Sequence, residues 1–204
     1  MKKTDKIDRR HLRSIQTRAK LLEAGKTVFL ENGFQQATIS QIIKRAGVGY
    51  GTAYVHFEGK DDILVVLMED VMAAFYRVAE APFDPVTRNE ATRIIERQAT
   101  EFLKLAEKER HMLRVFEQAI GISDAARRTW QMIRERFIES IAKDIRSAQQ
   151  AGLARELNPD IVARGWFFAN EMYLFEIVRE EQTESVETIA RTLTAIYTGG
   201  LYPR

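Results

Sequence analysis

Thr38-Ile-Ser-Gln-Ile-Ile-Lys-Arg-Ala-Gly-Val-Gly-Tyr-Gly-Thr-Ala-Tyr-Val-His-Phe57 is the stretch that decides the fold. Thr38 and Gln41 stand at capping-box spacing, where each side chain satisfies a backbone N–H of the other, so a helix starts at Ile39. Ile39, Ile42, Ile43 and Ala46 fall at i, i+3, i+4 and i+7 and make one apolar face. Gly47 permits a tight turn after Ala46, and Val48 is placed to plug the angle between two helices. A second short helix is expected over 50–56. Together they spell a helix-turn-helix. A helix of this length spans about 10 Å, which suits a major groove about 12 Å wide. A plain corner inside a helical protein has the same spacing. Tyr50, Thr52, Tyr54, His56 and Lys60 weigh against it, because a buried corner places apolar residues at several of these positions.

The surrounding 204 residues allow one or two domains and a core that needs no covalent staples. There are no cysteines, which excludes disulfides, thiolate catalysis and cysteine-ligated zinc and fits a reducing compartment. The longest purely apolar run is six residues, Ile63 to Met68, far short of the roughly 20 that a membrane span needs. The N-terminus is charged where a signal peptide is apolar. Net charge is +2, unevenly distributed: residues 1–60 hold 12 Lys/Arg against 5 Asp/Glu, and the rest hold 19 against 24. A basic head on an acidic body suggests that the head meets a polyanion.

Only four prolines occur, and residues 86–158 have none. No window alternates with a period of two. Trp130, Ile133, Phe137, Ile141, Ile145 and Ala148 extend a helical stripe over five turns. The whole chain therefore reads as all-α. Nine helices are expected, at about 15–31, 39–45, 50–56, 60–80, 88–106, 109–119, 124–150, 159–179 and 185–198. Gly33 and Gly152 mark helix stops, and Asn158-Pro159 is a cap followed by a first-turn proline. The expected domains are a basic N-terminal arm (1–14), a helix-turn-helix domain (15–60) and a helical body (61–204).

Residues 17–64 resemble the DNA-binding domain of TetR-family transcriptional repressors. The likeness runs from Thr17-Arg18 through Phe29, Gly33-Phe34, Ala37-Thr38-Ile39, Ile42, Ala46-Gly47-Val48, Gly51-Thr52, Tyr54, His56-Phe57 and Lys60 to Leu64. The resemblance implies DNA contacts from Thr17, Arg18, Thr38, Lys44, Gly49, Tyr50, Thr52, Tyr54, His56 and Lys60. Thr38 opens a helix whose N-terminus abuts a phosphate. Tyr50 and Thr52 sit early in the recognition helix, where side chains reach base edges. Tyr54, His56 and Lys60 resemble the family's phosphate contacts. Lys44 is either a DNA contact or a solvated charge. Gly49 departs from the serine or threonine usual there; the cap weakens by a few tenths of a kcal/mol and a hydroxyl donor to DNA is lost. The basic arm is either a solvated tail or an arm that reaches the phosphate backbone or the minor groove.

In the body, Trp166 to Val178 carries apolar residues on every face, so that helix must be covered on all sides. One subunit covers it poorly. With the stripe of the last helix it suggests a four-helix homodimer interface through Trp166, Phe167, Phe175, Ile189, Leu193, Ile196 and Tyr197. The resemblance implies the same, and an effector enclosed by the middle helices. Phe102, Met112, Phe116, Trp130, Arg134, Phe137, Asn170, Glu171 and Tyr173 are the candidates, and their character favours a hydrophobic or amphipathic molecule.

No enzyme constellation is present. His11, His56 and His111 lack metal-ligand spacing, and there is no nucleophile elbow or phosphate loop. Gly47-Val-Gly-Tyr-Gly51 follows a helix rather than a strand, so it is no dinucleotide loop. The expectation is a cytoplasmic bacterial or archaeal repressor, nucleoid-associated when bound, with no catalytic residue, cofactor, metal or membrane. It binds operator DNA as a homodimer until a small molecule releases it. The alternative is a helical ligand-binding or scaffold protein without DNA binding.

Overall fold

The computed structural model describes residues 2–202, with side chains described from residue 11 onward. Every regular element among them is a helix: α1 (Lys2–Gln36), α2 (Ile39–Ala46), α3 (Tyr50–Tyr54), α4 (Lys60–Ala79), α5 (Arg88–Ile122), α6 (Asp124–Gln150), α7 (Pro159–Arg179) and α8 (Val186–Leu201). The fold is all-α, as the proline-poor, strand-free pattern implied. Among the described residues, no helix is long and apolar enough to cross a membrane.

Two boundaries differ from expectation. The segments 88–106 and 109–119 form one helix, because the polar run Glu107-Lys-Glu-Arg110 contains no helix breaker. Leu103, Ala106 and Leu113 carry one buried stripe straight through it. Helix α1 starts well before residue 15, and the expected basic arm lies largely on residues 1–10, whose side chains are outside the described residues. At its other end the expected glycine break is present as a kink: Gly33 has φ 69° and ψ 168°, a conformation open almost solely to glycine.

The caps behave as their residue types dictate. The Thr38 hydroxyl accepts from Gln41 N (3.2 Å), and Gln41 Oε1 accepts from Thr38 N (2.8 Å). Asn158 Oδ1 accepts from Asp160 N and Ile161 N ahead of α7, with Pro159 in the first turn. Ser185 Oγ accepts from Thr188 N and opens α8.

The chain forms two compact units. The first takes in the segment up to Asp70 together with Val115–Thr129; the second takes in Val71–Arg114 and Trp130–Arg204. Helices α4, α5 and α6 contribute to both. The first unit's core is built from Phe29 and Phe34, whose rings lie 5.7 Å apart, with Ile42, Ile43, Ala53, Phe57 and Ile63. Each large side chain buried this way contributes about 1.5–3 kcal/mol. In the second unit Phe75, Phe102, Phe137 and Phe167 form a continuous aromatic row, with neighbouring rings 5.2–5.8 Å apart.

Candidate nucleic-acid interface and cavity

Helix α2 buries Ile42 and Ile43, then stops at Gly47 in the left-handed conformation (φ 62°, ψ 36°). The chain re-enters α3 through Gly49, which supplies no side-chain cap. Only Ala53 of α3 faces inward. Tyr50, Thr52 and Tyr54 are all exposed, so α3 presents most of its surface outward. A buried corner would do the reverse. Lys44 and Thr38 are exposed on the same unit, and His56 and Thr17 are half-buried. Val55 is 81% exposed, a contact candidate the sequence reading passed over. An apolar side chain there suits a thymine methyl.

Two expected contacts hold the domain together in this structure. The Lys60 ammonium donates to the carbonyls of Phe34 (2.7 Å), Gln35 (3.3 Å) and Ala37 (2.9 Å) and lies 4.4 Å from the Phe34 ring centre. Its three donors are thus engaged by the turn between α1 and α2. The Arg18 guanidinium lies over the Phe57 ring at 5.2 Å. An Arg45–Glu31 pair joins α2 to α1 through two 2.6 Å bonds.

The corner between α5 and α6 is fastened to this same unit. Gln118 Oε1 accepts from Phe34 N (3.3 Å). Ser123 Oγ donates to Asp61 Oδ1 in the first turn of α4 and accepts from Ala126 N (3.2 Å) at the start of α6. One hydroxyl therefore connects the N-termini of α4 and α6.

The second unit contains a partly open cavity. Of the expected pocket residues, Phe102, Phe137 and Asn170 line it. Met112, Phe116, Trp130, Arg134, Glu171 and Tyr173 do not. Met112 and Phe116 are packed core, and Phe116 belongs to the first unit. Trp130 Nε1 (2.8 Å) and Arg134 Nε (2.7 Å) both donate to Glu171 Oε1, so these three satisfy one another. Three expected dimer residues, Trp166, Phe167 and Tyr197, line the cavity instead. Trp166 and Tyr197 stack at 4.3 Å.

Asp144 is a lining residue that pattern reading missed. Burial pushes its carboxyl up to about 7, with Asp84 adding to the rise and Lys143 opposing it. The folded state then keeps a proton that the unfolded chain releases above about pH 4. Stability is lost as pH climbs from about 4 through about 7. Asp144→Asn removes the penalty. The variant is expected to exceed the wild type at pH 8 by about 1–2 kcal/mol, discounted for partial solvent contact, and to match it near pH 4.5. Urea unfolding at both pH values checks this; a constant difference would contradict it.

Residues 21–67 match the family model described as bacterial regulatory proteins, tetR family. The N-terminal domain belongs to the TetR family. This TetR-family domain is 42% identical over 55 residues to the "Fatty acid metabolism regulator protein" of Bacillus subtilis, covering 27% of this chain and 28% of that protein. It is 36% identical over 70 residues to the "HTH-type transcriptional regulator SrpR" of Pseudomonas putida, covering 34% and 31%. The matches thus span about a third or less of these two relatives. Over the whole chain the likeness is one of fold. The repressor SmeT of Stenotrophomonas maltophilia superposes with a TM-score of 0.72 at 18% identity, covering 92% of this chain and 93% of that one. The flavonoid-responsive regulator FrrA does so with 0.73 at 18%, covering 92% and 98%.

Beyond its TetR-family domain, the chain leaves an apolar face uncovered on its last two helices. Ile161 (70% exposed), Phe168 (43%) and Met172 (52%) share one stripe of α7, and Ile196 (69%) stands out on α8. Of the expected interface residues, Phe167 and Ile189 are buried within the subunit and Phe175 packs on Trp130 at 5.6 Å, whereas Leu193 is half-buried.

Proposed function

We propose that the protein is a transcriptional repressor that binds a palindromic operator as a homodimer and is released by a small molecule held in the cavity of its second unit. The observation that carries the reading is α3, which exposes Tyr50, Thr52 and Tyr54 and, at its C-cap, Val55, and buries only Ala53. Tyr50 and Thr52 are assigned to base edges, Tyr54, His56 and Lys44 to the strand backbone, and Thr38 to a phosphate at the start of α2. Lys60 and Arg18 are assigned a supporting role, because their cationic groups already engage Phe34 and Phe57. Gly49 lets the backbone approach DNA without a hydroxyl of its own.

The uncovered stripe of α7 and α8 supports pairing of two subunits into a four-helix interface. A dimer sets the two recognition helices at the 34–36 Å that adjacent major grooves on one side of DNA require. Such a regulator works in the cytoplasm. Release follows if the effector prefers the state whose recognition helices are misspaced, since equal affinity for both states shifts nothing. Helices α4 and α6 start at the shared Ser123 hydroxyl and end in the second unit, so they are the elements through which such a preference acts.

Fluorescence anisotropy on duplex DNA tests the reading. If a dimer neutralises about eight phosphates, log K falls with log salt at a slope near −7. Tyr54→Phe weakens binding to all sequences, whereas Tyr50→Ala alters which sequences are preferred. A salt-independent signal, or a Tyr50→Ala variant with unchanged preference, contradicts the assignment.

A further inference from the structure

The cavity wall has a chemical sign. Its surface is mostly aromatic and aliphatic, and among the described residues no Lys, Arg or His lines it. Asn170 is 6% exposed, and its Nδ2 donates to the Trp166 carbonyl one turn back (2.9 Å). That bond fixes the amide orientation, because a carbonyl cannot donate. Asn170 Oδ1 is left buried with no hydrogen-bond partner among the described residues. An orphaned buried acceptor costs about 1–3 kcal/mol elsewhere in proteins and calls for a donor.

Asp144, on α6, adds two more acceptor oxygens to the same wall. It also borders an open groove lined by Glu80, Asp84, Arg136, Glu139 and Lys143. Arg136 in that groove is bonded to Glu80 (2.7 Å) and covers the Tyr76 ring. Tyr197 on α8 and its C-cap Tyr202 also line the cavity; burial raises both hydroxyls above their ordinary range, with Tyr202 and then Asp144 adding to the rise at Tyr197 and Asp144 at Tyr202. The cavity thus offers spare acceptors, one carboxyl and several ring faces, all of which favour a cation.

We propose that this cavity binds an apolar organic cation, an alkyl or aryl amine whose ammonium group is taken up by the Asp144 carboxylate and the Asn170 amide oxygen while its body lies against the aromatic rings. This rests on the cavity's role as the effector site proposed above. An amphipathic carboxylate of the same shape is disfavoured, because it meets a like charge and, among the described residues, no cationic partner.

Isothermal titration of the full chain with 4-phenylbutylamine, 4-phenylbutanol and 4-phenylbutyrate tests the proposal. At pH 8 the amine is expected to bind at least about tenfold tighter than the carboxylate and several-fold tighter than the alcohol. At pH 6 Asp144 is mostly protonated while the amine stays an ammonium ion, so the charge pair is lost and the preference over the alcohol shrinks several-fold. Asp144→Asn brings that preference to near one at both pH values and leaves alcohol binding intact. Asn170→Leu weakens amine and alcohol alike. Circular dichroism melts establish that both variants are folded. The proposal is overturned if no amine binding is seen, if the carboxylate binds as tightly, or if Asp144→Asn keeps the preference. DNA anisotropy in the presence of the amine separates the two readings. Amine binding with unchanged DNA affinity leaves the ligand site standing and removes the effector role.

Discussion

Phe168→Asp is expected to convert the protein to a monomer and to weaken operator binding at least about a hundredfold. Phe168 is 43% exposed on the α7 stripe, between Ile161 and Met172. A charge at the centre of a paired apolar face must be desolvated without a partner, a cost of several kcal/mol. The isolated subunit tolerates the change. The position already reaches water, and the Arg134 guanidinium lies only 5.6 Å from the Phe168 ring centre. Loss of pairing removes the second recognition helix, and with it the gain that comes from linking two half-site contacts. Sedimentation velocity reads the mass and anisotropy reads the DNA. A variant that stays dimeric and keeps its operator affinity would place the interface elsewhere.

Arg134→Ala is expected to cost about 2–4 kcal/mol of stability at pH 7. The Glu171 side chain is 7% exposed and receives one bond from Trp130 Nε1 and one from Arg134 Nε, both to Oε1. Removing one partner of a buried pair leaves a carboxylate without its counter-charge. The effect is below the upper end for fully buried pairs, because Arg134 is itself a third exposed and water fills part of the gap. Arg164→Ala provides the contrast. It breaks a bidentate pair with Glu135 in which both side chains are about half exposed, and it is expected to leave the urea midpoint almost unchanged. Equal losses in the two variants would show that burial does not set the cost at Glu171.

Much of the DNA-facing half was legible because its signals are local. Thr38 and Gln41 define a cap by spacing, Gly47 defines a turn, and the polar residues of α3 stand where a buried helix would be apolar. The body was less legible for a geometric reason. Each residue step on a helix turns the side chain by about 100°, and α7 is apolar all round. Nothing local separates Phe167, which lines the cavity, from Phe168, which faces out. The same ambiguity put Trp166 and Tyr197 on the outer face when they stack against each other in the cavity wall. Asp144 went unseen because a single acidic residue on a long helix looks like surface charge. Lys60 shows the limit on the DNA side. Its ammonium meets the carbonyls of Phe34 and Ala37, more than twenty residues away, and no spacing rule reports that contact.

The central claim is that α3 reads sequence in a symmetric pair. Selection from a random pool of double-stranded DNA, followed by sequencing of the bound fraction, tests it most directly. The account predicts enrichment of one inverted repeat whose half-site centres lie one helical turn apart, or a whole number of turns, with the preference altered in Tyr50→Ala. A folded, ligand-free protein that enriches no sequence, or a single unrepeated half-site, would contradict it.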